Sequence, residues 1–332
     1  MELDAPIYVA GHRGLVGSAL VRRLHAAGYH NLILRTRAEL DLADARAVAG
    51  LFQSERPHYV FLAAARVGGI LANRDRPAEF IRENLCIETN VIEQAHRSGV
   101  QRLLFLGSSC VYPRCAPQPI SEEQLLAGPL ELTNRSYALA KIAGIELCWA
   151  YNRQYGTQFI TAMPSNLYGP NDHYDAHSSH VVPALIRKFE AAKNSSDRKV
   201  VIWGSGTPRR EFLYSDDAAD ACIHLMNLGD NEWAAILGPS ARPPLVNVGW
   251  GQDISIRELA EIIAETVGVK KDLVFDPSKP DGTPRKLLDV TLMASLGWKP
   301  STRLRSGLAA TYQDYCARSA CGARQPVATE PR

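Results

Sequence analysis

The sequence lacks long apolar runs, and its cysteines are too few and too irregularly spaced for a disulfide framework. The 332 residues include 7 cysteines with no Cys-x-x-Cys pair, and an odd number cannot all pair internally. The first residues, MELDAPIYVAG, have an acidic second position and no apolar stretch, which is untypical of a signal peptide or membrane anchor. We therefore expect a reduced, cytoplasmic protein.

The chain also lacks an excess of either charge. Its 37 Lys and Arg residues are balanced by 35 Asp and Glu residues, so nothing indicates a nucleic acid or a membrane surface as partner. With 46% hydrophobic and 22% charged residues the composition is that of a globular protein. The length allows one large body or two lobes.

What the sequence does contain is a regular alternation of short apolar runs and helical patterns. PIYVAG, NLILRTR, HYVFLAAA and RLLFLGSSC are typical of buried strands, and amphipathic helical segments separate them. A further helix is expected at about 136–155, followed by the strand FITAMPSNLYGP. This order predicts an α/β fold with a Rossmann-type, doubly wound parallel sheet.

The rhythm changes after Pro170, where the polar stretch NDHYDAHSSHV begins. We expect a dinucleotide-binding domain over 1–170 and a smaller α/β substrate-binding lobe over 171–315, with later segments returning to the first domain. Residues 316–332 have little apolar content and are expected to be a mobile tail.

Three glycines follow the first predicted strand. Gly11, Gly14 and Gly17 allow a tight turn and close approach of a pyrophosphate, while the helix that follows supplies N–H donors. Such glycines can also merely connect a strand to a helix, but their place in the first strand–helix turn of a repeated pattern favours a dinucleotide site.

The second strand indicates which dinucleotide binds. An NAD site usually has an acidic residue at the end of that strand, whereas this one ends with Arg35 and Arg37, and Arg13 lies within the glycine turn. Guanidinium groups suit a 2′-phosphate, so NADP(H) is favoured. The alternative is that these arginines are solvated surface charges.

A second candidate site contains Ser108, Tyr137 and Lys141. The tyrosine and lysine are four residues apart on a predicted helix and share a face, so we expect the ammonium to lower the pKa of the phenol. The tyrosine could then exchange a proton with a carbonyl oxygen, and Ser108 could bind that oxygen. A Tyr-x-x-x-Lys pattern also arises by chance on ordinary helix faces.

Taken together, AGHRGLVGSA, LFLGSSCVYP and SYALAKIAGI resemble the extended short-chain dehydrogenase/reductases, which act mainly on nucleotide sugars. The stretches NLYGP, SHVVPALIR, VVIWGSGTPRREFLYSDD and KPDGTPRKLLDV extend this resemblance from about residue 8 to about residue 315. They are more similar to the family's GDP-sugar 3,5-epimerase–4-reductases. The dehydratases typically have Asp-Glu after the Ser/Thr at this strand end, and the 4-epimerases usually have a small residue in place of Cys110.

The resemblance implies roles for Cys110 and His180 as base and acid. A thiolate next to positive charge can remove a proton, and histidine titrates near neutrality. If the chain stays extended, Ser108 and Cys110 face the same side. The alternatives are a buried, inert cysteine and an ordinary loop histidine. His177, His180 and Cys110 do not make a convincing zinc set, and no metal is expected.

The resemblance implies further contacts, which we give as expectations. Besides the residues above, the cofactor site is expected to include Leu15, Val16, Asp41, Ala64, Pro164, Asn166, Leu167 and His180. The substrate site is expected to include Ser109, Asn166, Lys188, Trp203, Arg210, Asp281 and Lys286. Lys188 departs from the family, which usually has a second arginine there, and lysine lacks the bidentate fork. Trp203 could alternatively be a core residue.

The resemblance therefore predicts NADPH-dependent conversion of GDP-4-keto-6-deoxy-D-mannose to GDP-L-fucose, by epimerisation at C3 and C5 and hydride reduction at C4. The alternative enzyme is an epimerase–reductase for another 4-keto nucleotide sugar. A protein that senses the cofactor without chemistry would be expected to lose Ser108, Tyr137 or Lys141, and all three are present. The resemblance also implies a homodimer through helices near 81–98 and 137–155.

Overall fold

The computed structural model describes residues 1–175, 178–193, 195–238, 242–279 and 281–322. In these ranges the strands are β1 Ile7–Ala10, β2 Leu32–Ile33, β3 Tyr59–Leu62, β4 Arg102–Leu106, β5 Phe159–Pro164, β6 Asn166–Tyr168, β7 Lys199–Trp203, β8 Arg209–Tyr214, β9 Leu245–Val248, β10 Asp253–Ser255, β11 Asp272–Asp276 and β12 Arg285–Lys286. The helices are α1 Leu15–Ala26, α2 Ala45–Glu55, α3 Ile70–Asp75, α4 Pro77–Arg97, α5 Arg135–Tyr155, α6 Val181–Lys193, α7 Ser215–Met226, α8 Asp230–Leu237, α9 Ile256–Val267, α10 Thr291–Ser295 and α11 Leu304–Gly322.

The main sheet has the order β2-β1-β3-β4-β5-β9, and all its neighbours are parallel. β1, β3, β5 and β9 are buried along their whole length, as expected for strands covered on both faces. The strand order reverses between β1 and β3, so a ligand cleft is expected at the carboxyl ends of these two strands. The predicted Rossmann-type α/β fold is confirmed.

Helices cover both faces of this sheet. Residues of α2, α4 and α5 form a hydrophobic cluster on one face, and residues of α1, α7 and α8 form a second cluster on the other. α4 and α5 pack side by side, and α1 packs against α7. Because both faces are closed, only the strand ends and the turns that follow them can present polar groups to a ligand.

A third cluster lies around smaller sheets formed mainly by the later part of the chain. β8 pairs with β6, β10 and β12, and β7 pairs with β11. Apolar residues of α6, α9 and α11 pack against these strands. α9 starts with a capping box between Ser255 and Glu258 and ends at Gly268, whose φ of +84° suits glycine. β9, in contrast, lies in the main sheet.

Three details differ from the sequence-based predictions. β2 is only two residues long and ends before Arg35, while the run Phe159–Tyr168 makes two strands in two different sheets. β4 ends at Leu106, and Ser109–Val111 form a 3₁₀ turn instead of continuing the strand. α11 continues past residue 316 to Gly322, so the start of the expected mobile tail is helical, and residues 323–332 lie outside the described residues.

Candidate active site

The glycine turn after β1 is packed so tightly that side chains are excluded from it. Gly11 has a φ of +81°, and a Cβ there would lie 2.8 Å from the Cα of Ala64. A Cβ on Gly17 would lie 2.0 Å from the carbonyl oxygen of Gly11. Gly14 caps α1 without a side-chain hydrogen bond, and the first turn of α1 contains no acidic residue. The turn therefore leaves a helix N-terminus suited to an anion.

The three arginines beside this turn differ in their partners. Arg35 forms an ion pair with Glu55, and Arg37 forms one with Glu83 at 2.5 Å while its side chain stays 72% exposed. Arg13 is exposed and forms no ion pair among the described residues, although its carbonyl oxygen accepts a hydrogen bond from Asn171. The structure thus leaves Arg13 and Arg37 accessible to an added phosphate, whereas Arg35 is engaged elsewhere.

The turn after β4 brings Ser108 and Cys110 together by a route that the sequence did not predict. The extended conformation that we expected is wrong, because the backbone curls into the 3₁₀ turn. The backbone N–H of Cys110 donates to Oγ of Ser108 at 3.3 Å. Ser109, between them, is buried. The hydroxyl and the thiol therefore belong to one local turn.

Tyr137 lies over this turn from the first turn of α5. Burial raises the pKa of Tyr137, as do the charges of Cys110 and Glu88, whereas a hydrogen bond with Ser108 lowers it. The net shift of the Tyr137 pKa is upwards, and Lys141 is not among its causes. The expectation that Lys141 lowers this pKa is therefore wrong for the protein without bound ligands. At neutral pH the phenol carries its proton and can donate it.

Lys141 has a partner that sequence reasoning missed. Its Nζ lies 3.1 Å from Oε1 of Glu88 in α4, and both side chains are 2% exposed. The ammonium also lies 4.4 Å from the ring centroid of Phe105 and 6.0 Å from that of Tyr137. The available signal was an acidic residue on the apolar face of α4, one turn before Ile92.

Two cations from the later part of the chain approach the thiol. Nζ of Lys286 lies 3.8 Å from Sγ of Cys110. Burial lowers the pKa of Arg210, while the charges of Cys110, Asp281 and Glu131 raise it, so this guanidinium lies within electrostatic reach of the thiol. The pairing of Arg210 and Lys286 in neighbouring strands β8 and β12 accounts for their common position.

His180 directly precedes α6, and its carbonyl oxygen accepts the first helical hydrogen bond, from Ala184. Desolvation by the surrounding protein and the charge of His173 lower its pKa, although the residue itself is solvent-exposed. Within the described part of the chain no hydrogen bond joins His180 to Cys110. His177 lies outside the described residues.

The histidine-bearing loop rests on the backbone that follows β3. The N–H of Gly69 donates to the carbonyl oxygen of Ser178 at 2.8 Å. A Cβ on Gly69 would lie 2.8 Å from the carbonyl oxygen of Ser179. Only glycine allows this approach, so Gly69 sets the distance between the loop and the main sheet.

A second group of predicted residues surrounds Trp203, which is 53% exposed and therefore not a core residue. Its ring centroid lies 5.6 Å from Nζ of Lys188 and 5.7 Å from Nζ of Lys279, and Lys279 was missed from the sequence. Lys188 donates to the carbonyl oxygen of Val201 at 2.7 Å. Asp281 accepts two hydrogen bonds from Ser205, so it fixes the turn after Trp203.

The remaining predicted positions lie on β5, β6 and nearby turns. Pro164 ends β5, Asn166 donates to the carbonyl oxygen of Glu211 at 2.8 Å, and Leu167 packs in the hydrophobic cluster of α1 and α7. Asp41 is exposed and accepts from the N–H of Ala43. Among the described residues no group of three His, Cys, Asp or Glu side chains could hold a metal ion.

Comparisons with known proteins agree with this arrangement. Residues 7–237 match the model of the NAD dependent epimerase/dehydratase family. The chain is 55% identical over 307 residues to the GDP-L-fucose synthase of Escherichia coli, covering 92% of this chain and 95% of that protein.

Solved structures are similar over nearly the whole chain. A GDP-6-OMe-4-keto-L-xylo-heptose reductase from C. jejuni has a TM-score of 0.88 at 39% identity, covering 96% of this chain and 99% of the other. A GDP-L-fucose synthetase from Naegleria fowleri bound to NADP has a TM-score of 0.84 at 26% identity, covering 96% of each chain.

Proposed function

Because the chain belongs to the NAD dependent epimerase/dehydratase family and, within it, to the GDP-L-fucose synthases, we propose that it converts GDP-4-keto-6-deoxy-D-mannose to GDP-L-fucose with NADPH. One observation carries this proposal. A thiol, Cys110, shares a turn with the Ser108 hydroxyl that contacts Tyr137, so a proton-abstracting group and two oxygen-binding groups lie together.

The glycine turn and the cations beside it fit NADPH. Gly11, Gly14 and Gly17 clear space at the N-terminus of α1 for a pyrophosphate, and Arg13 with Arg37 would hold the 2′-phosphate. The rest of this proposed site comprises Leu15, Val16, Asp41, Ala64, Tyr137, Lys141, Pro164, Asn166, Leu167 and His180. When bound, NADPH supplies the hydride for C4.

We assign the GDP end of the substrate to the wall around Trp203. An exposed aromatic ring between two ammonium groups suits a nucleotide base next to phosphates. Arg210 and Lys286 would neutralise the pyrophosphate, with Lys188 and the Asp281-held turn beside them, and Ser109 and Asn166 would lie near the sugar. This assigns cofactor binding to 1–170 and most substrate binding to 171–315.

The epimerisation uses the acidity of protons next to a ketone. Cys110 would remove a proton from C3 or C5, and His180 would return one on the opposite face, which inverts the carbon. Hydrogen bonds from Ser108 and Tyr137 to the C4 oxygen would stabilise the enolate formed between these steps. Nζ of Lys286 lies 3.8 Å from Sγ of Cys110, so a cation faces the group that would remove the proton.

The reduction then leaves an alkoxide at C4, which needs a proton. Tyr137 can supply it because its pKa is raised and the phenol is protonated at neutral pH. Ser108 keeps the oxygen within reach. The ammonium of Lys141 lies 6.0 Å from the centroid of the Tyr137 ring and stabilises the phenolate that remains.

The test is turnover of GDP-4-keto-6-deoxymannose with NADPH in deuterated water. The wild type should oxidise NADPH and incorporate deuterium at C3 and C5, and C110S should lose nearly all of that deuterium. C115S is the matched control, because Cys115 is an exposed free cysteine. NADPH oxidation without deuterium would mean a plain 4-keto reductase, and no oxidation at all would reject the substrate.

A second candidate substrate is another GDP-linked 4-keto sugar. The similarity to a C. jejuni reductase of a 4-keto heptose favours it, because that structure covers almost the whole chain. Competition between the 6-deoxy sugar and a GDP-4-keto-heptose in the same assay distinguishes the two. A higher kcat/KM for the heptose would replace the fucose assignment.

We also propose a homodimer formed by α4 and α5. These helices pack against each other, and Leu139 and Tyr155 of α5 are exposed apolar residues that a partner could cover. Light scattering after gel filtration should give twice the 36.5 kDa chain mass, and a monomer would reject this arrangement. Within the described residues no helix is both long and apolar enough to cross a membrane.

The cytoplasm is the proposed location. The mechanism needs Cys110 as a free thiol, and reducing compartments maintain that state. Among the side chains that the structure describes, six cysteines are free, which is compatible with such a compartment. Fractionation that finds the protein mainly in an oxidising compartment would contradict this assignment.

A further inference from the structure

A buried ion pair between Lys141 and Glu88 lies next to Tyr137, and Glu88 has no role in the steps assigned to Cys110, His180 and Tyr137. Glu88 of α4 is 1% exposed, and its only polar contact among the described residues is the ammonium of Lys141, 3.1 Å from Oε1. Its Oε2 accepts no hydrogen bond within those residues. A carboxylate held in this way is costly unless it faces a charge.

The space for this carboxylate is built into the helix pair. Gly144 lies three residues after Lys141 on α5, and a Cβ there would be 2.9 Å from Oε2 of Glu88. The same Cβ would be 2.6 Å from the ring of Phe105. The missing side chain at Gly144 therefore opens a slot between α4 and α5 that the Glu88 carboxylate and the Phe105 ring fill.

Lys141 would not keep its charge in this environment without a partner. Burial in a medium of low dielectric lowers the pKa of an amine, and documented shifts in buried lysines reach several units. Burial raises the pKa of Glu88 to about 7, and the charge and hydrogen bond of Lys141 keep it from rising further, so the ammonium favours the charged form of the carboxyl.

We propose that Glu88 is a positioning residue for the reduction: through a buried ion pair it keeps Lys141 as an ammonium in the slot beside Tyr137. This rests on the proposed function. The ammonium then stabilises the phenolate left when Tyr137 gives its proton to the C4 alkoxide. Epimerisation does not depend on that charge, because Cys110 and His180 move those protons.

Other titratable groups also face the pair. Tyr137 and Cys148 approach it from α5, and the charges of Glu88 and Lys141 both act on the buried thiol of Cys148. Burial raises the pKa of both groups, so neither changes charge near neutrality. The charge of Cys110 also acts on Tyr137. The pKa of Glu88 is itself about 7, so its own titration contributes to the wild-type profile. In E88Q that carboxyl is absent, and a recovery of this variant towards pH 6 is therefore assigned to Lys141.

The main test compares E88Q with the wild type in two separate assays. Glutamine keeps the shape and an accepting oxygen but removes the charge, so the pKa of Lys141 should fall. Reduction by NADPH should be at least about tenfold slower at pH 8 and should recover towards pH 6, where the lysine regains its proton. Deuterium exchange at C3 and C5, measured with NADP⁺ in place of NADPH, should stay near the wild-type rate.

E146Q is the matched control. Glu146 is a half-buried acid on α5, the helix that carries Lys141, and it forms no ion pair among the described residues. It should change neither assay. A double-mutant cycle with K141M adds a second control. If Glu88 acts through Lys141, then E88Q should cause no further loss of reduction in the K141M background.

A third readout does not use the substrate. In E88Q the unpaired lysine has a lowered folded-state pKa, so the unfolded chain binds more protons and the free energy of unfolding should rise between pH 8 and pH 10 relative to the wild type. If the wild type shows no turnover, the proposed function fails, and this readout still tests the ion pair by itself.

Equal loss of reduction and exchange in E88Q, or an unchanged pH profile of reduction, would overturn the proposal. If E88Q does not fold, E88D is tested in the same two assays. Aspartate keeps the negative charge but places it one methylene further from Lys141. A several-fold loss of reduction with normal exchange would then support the proposal. Normal reduction, or parallel loss of both activities, would reject it.

Discussion

The two walls of the proposed site, one around Tyr137 and the other around Trp203, are built on different physical principles. Around Tyr137 the groups are buried, charges are paired at short distance, and glycines set separations that a single methyl group would violate. Around Trp203 the ring is half exposed and the neighbouring ammonium groups lie more than 5 Å from its centroid. The first wall should tolerate almost no change, whereas the second should lose affinity gradually.

Gly17→Ala should have the largest effect, since it acts on the least tolerant point of the first wall. The added Cβ meets the carbonyl oxygen of Gly11 at 2.0 Å, so the turn must open. We expect NADPH affinity, measured by fluorescence titration, to fall more than about a hundredfold. Gly50→Ala is the control, because nothing lies within 4 Å of its Cβ. Equal affinities in the two variants would contradict this description of the turn.

Asp172 tests the effect of burial in the loop between β6 and α6. Burial raises the pKa of Asp172 to about 7, so its stabilising contribution is present at low pH and is lost as the pH rises through that value. Relative to Asp172→Asn, the wild type should lose about 1.4 kcal/mol of unfolding free energy between pH 6 and pH 9. Denaturant titrations at several pH values measure this. Asp272→Asn, at an exposed site, should not differ from the wild type, and a parallel pH dependence in all three proteins would refute the assignment.

Gly69→Ala sharpens the comparison by moving one element of the first wall. The added Cβ would press against the carbonyl oxygen of Ser179 and displace the loop that carries His180. Deuterium exchange at C3 and C5 should fall about tenfold, while NADPH affinity should remain near normal. If exchange were unaffected, the loop would not determine the position of the histidine.

Trp203→Ala should give the smallest effect because the second wall is open. The KM for the GDP-sugar should rise about three- to tenfold with little change in kcat. Lys279→Ala should have a weaker effect of the same kind, and Lys270→Ala, at an exposed position away from the ring, should have none. A large fall in kcat for Trp203→Ala would mean that the two walls are not independent.

The sequence predicted what depends on local spacing. The strand–glycine–helix turn and the Tyr137–Lys141 face follow from residues within a few positions of each other, and the structure places both as expected. Glu88 and Lys279 were missed because their partners lie on other elements. The direction of the Tyr137 pKa shift was wrong for the same reason, since it depends on burial and on a carboxylate from α4.

At the 3₁₀ turn Ser109–Val111 the sequence correctly predicted that Ser108 and Cys110 lie together, but it predicted the wrong backbone conformation. Extended geometry was expected to place Ser108 and Cys110 on one side, but the hydrogen bond from the Cys110 N–H to the serine hydroxyl does so instead. A residue pattern can therefore identify which groups cooperate without identifying the backbone that brings them together. The two-residue length of β2 was likewise not encoded in its apolar pattern.

The direct passage from β5 to β6 has a consequence for how such a chain can vary. Only Ser165 separates Pro164, paired in the main sheet, from Asn166, paired with β8. Side chains alternate along strands with a period of two, so one inserted residue here would shift the register of β6 against β8 and reverse which β6 side chains lie on each face. The single residue Ser165 therefore fixes the register of β6 relative to β5. Length changes should accumulate in the surface loops and be absent from this junction.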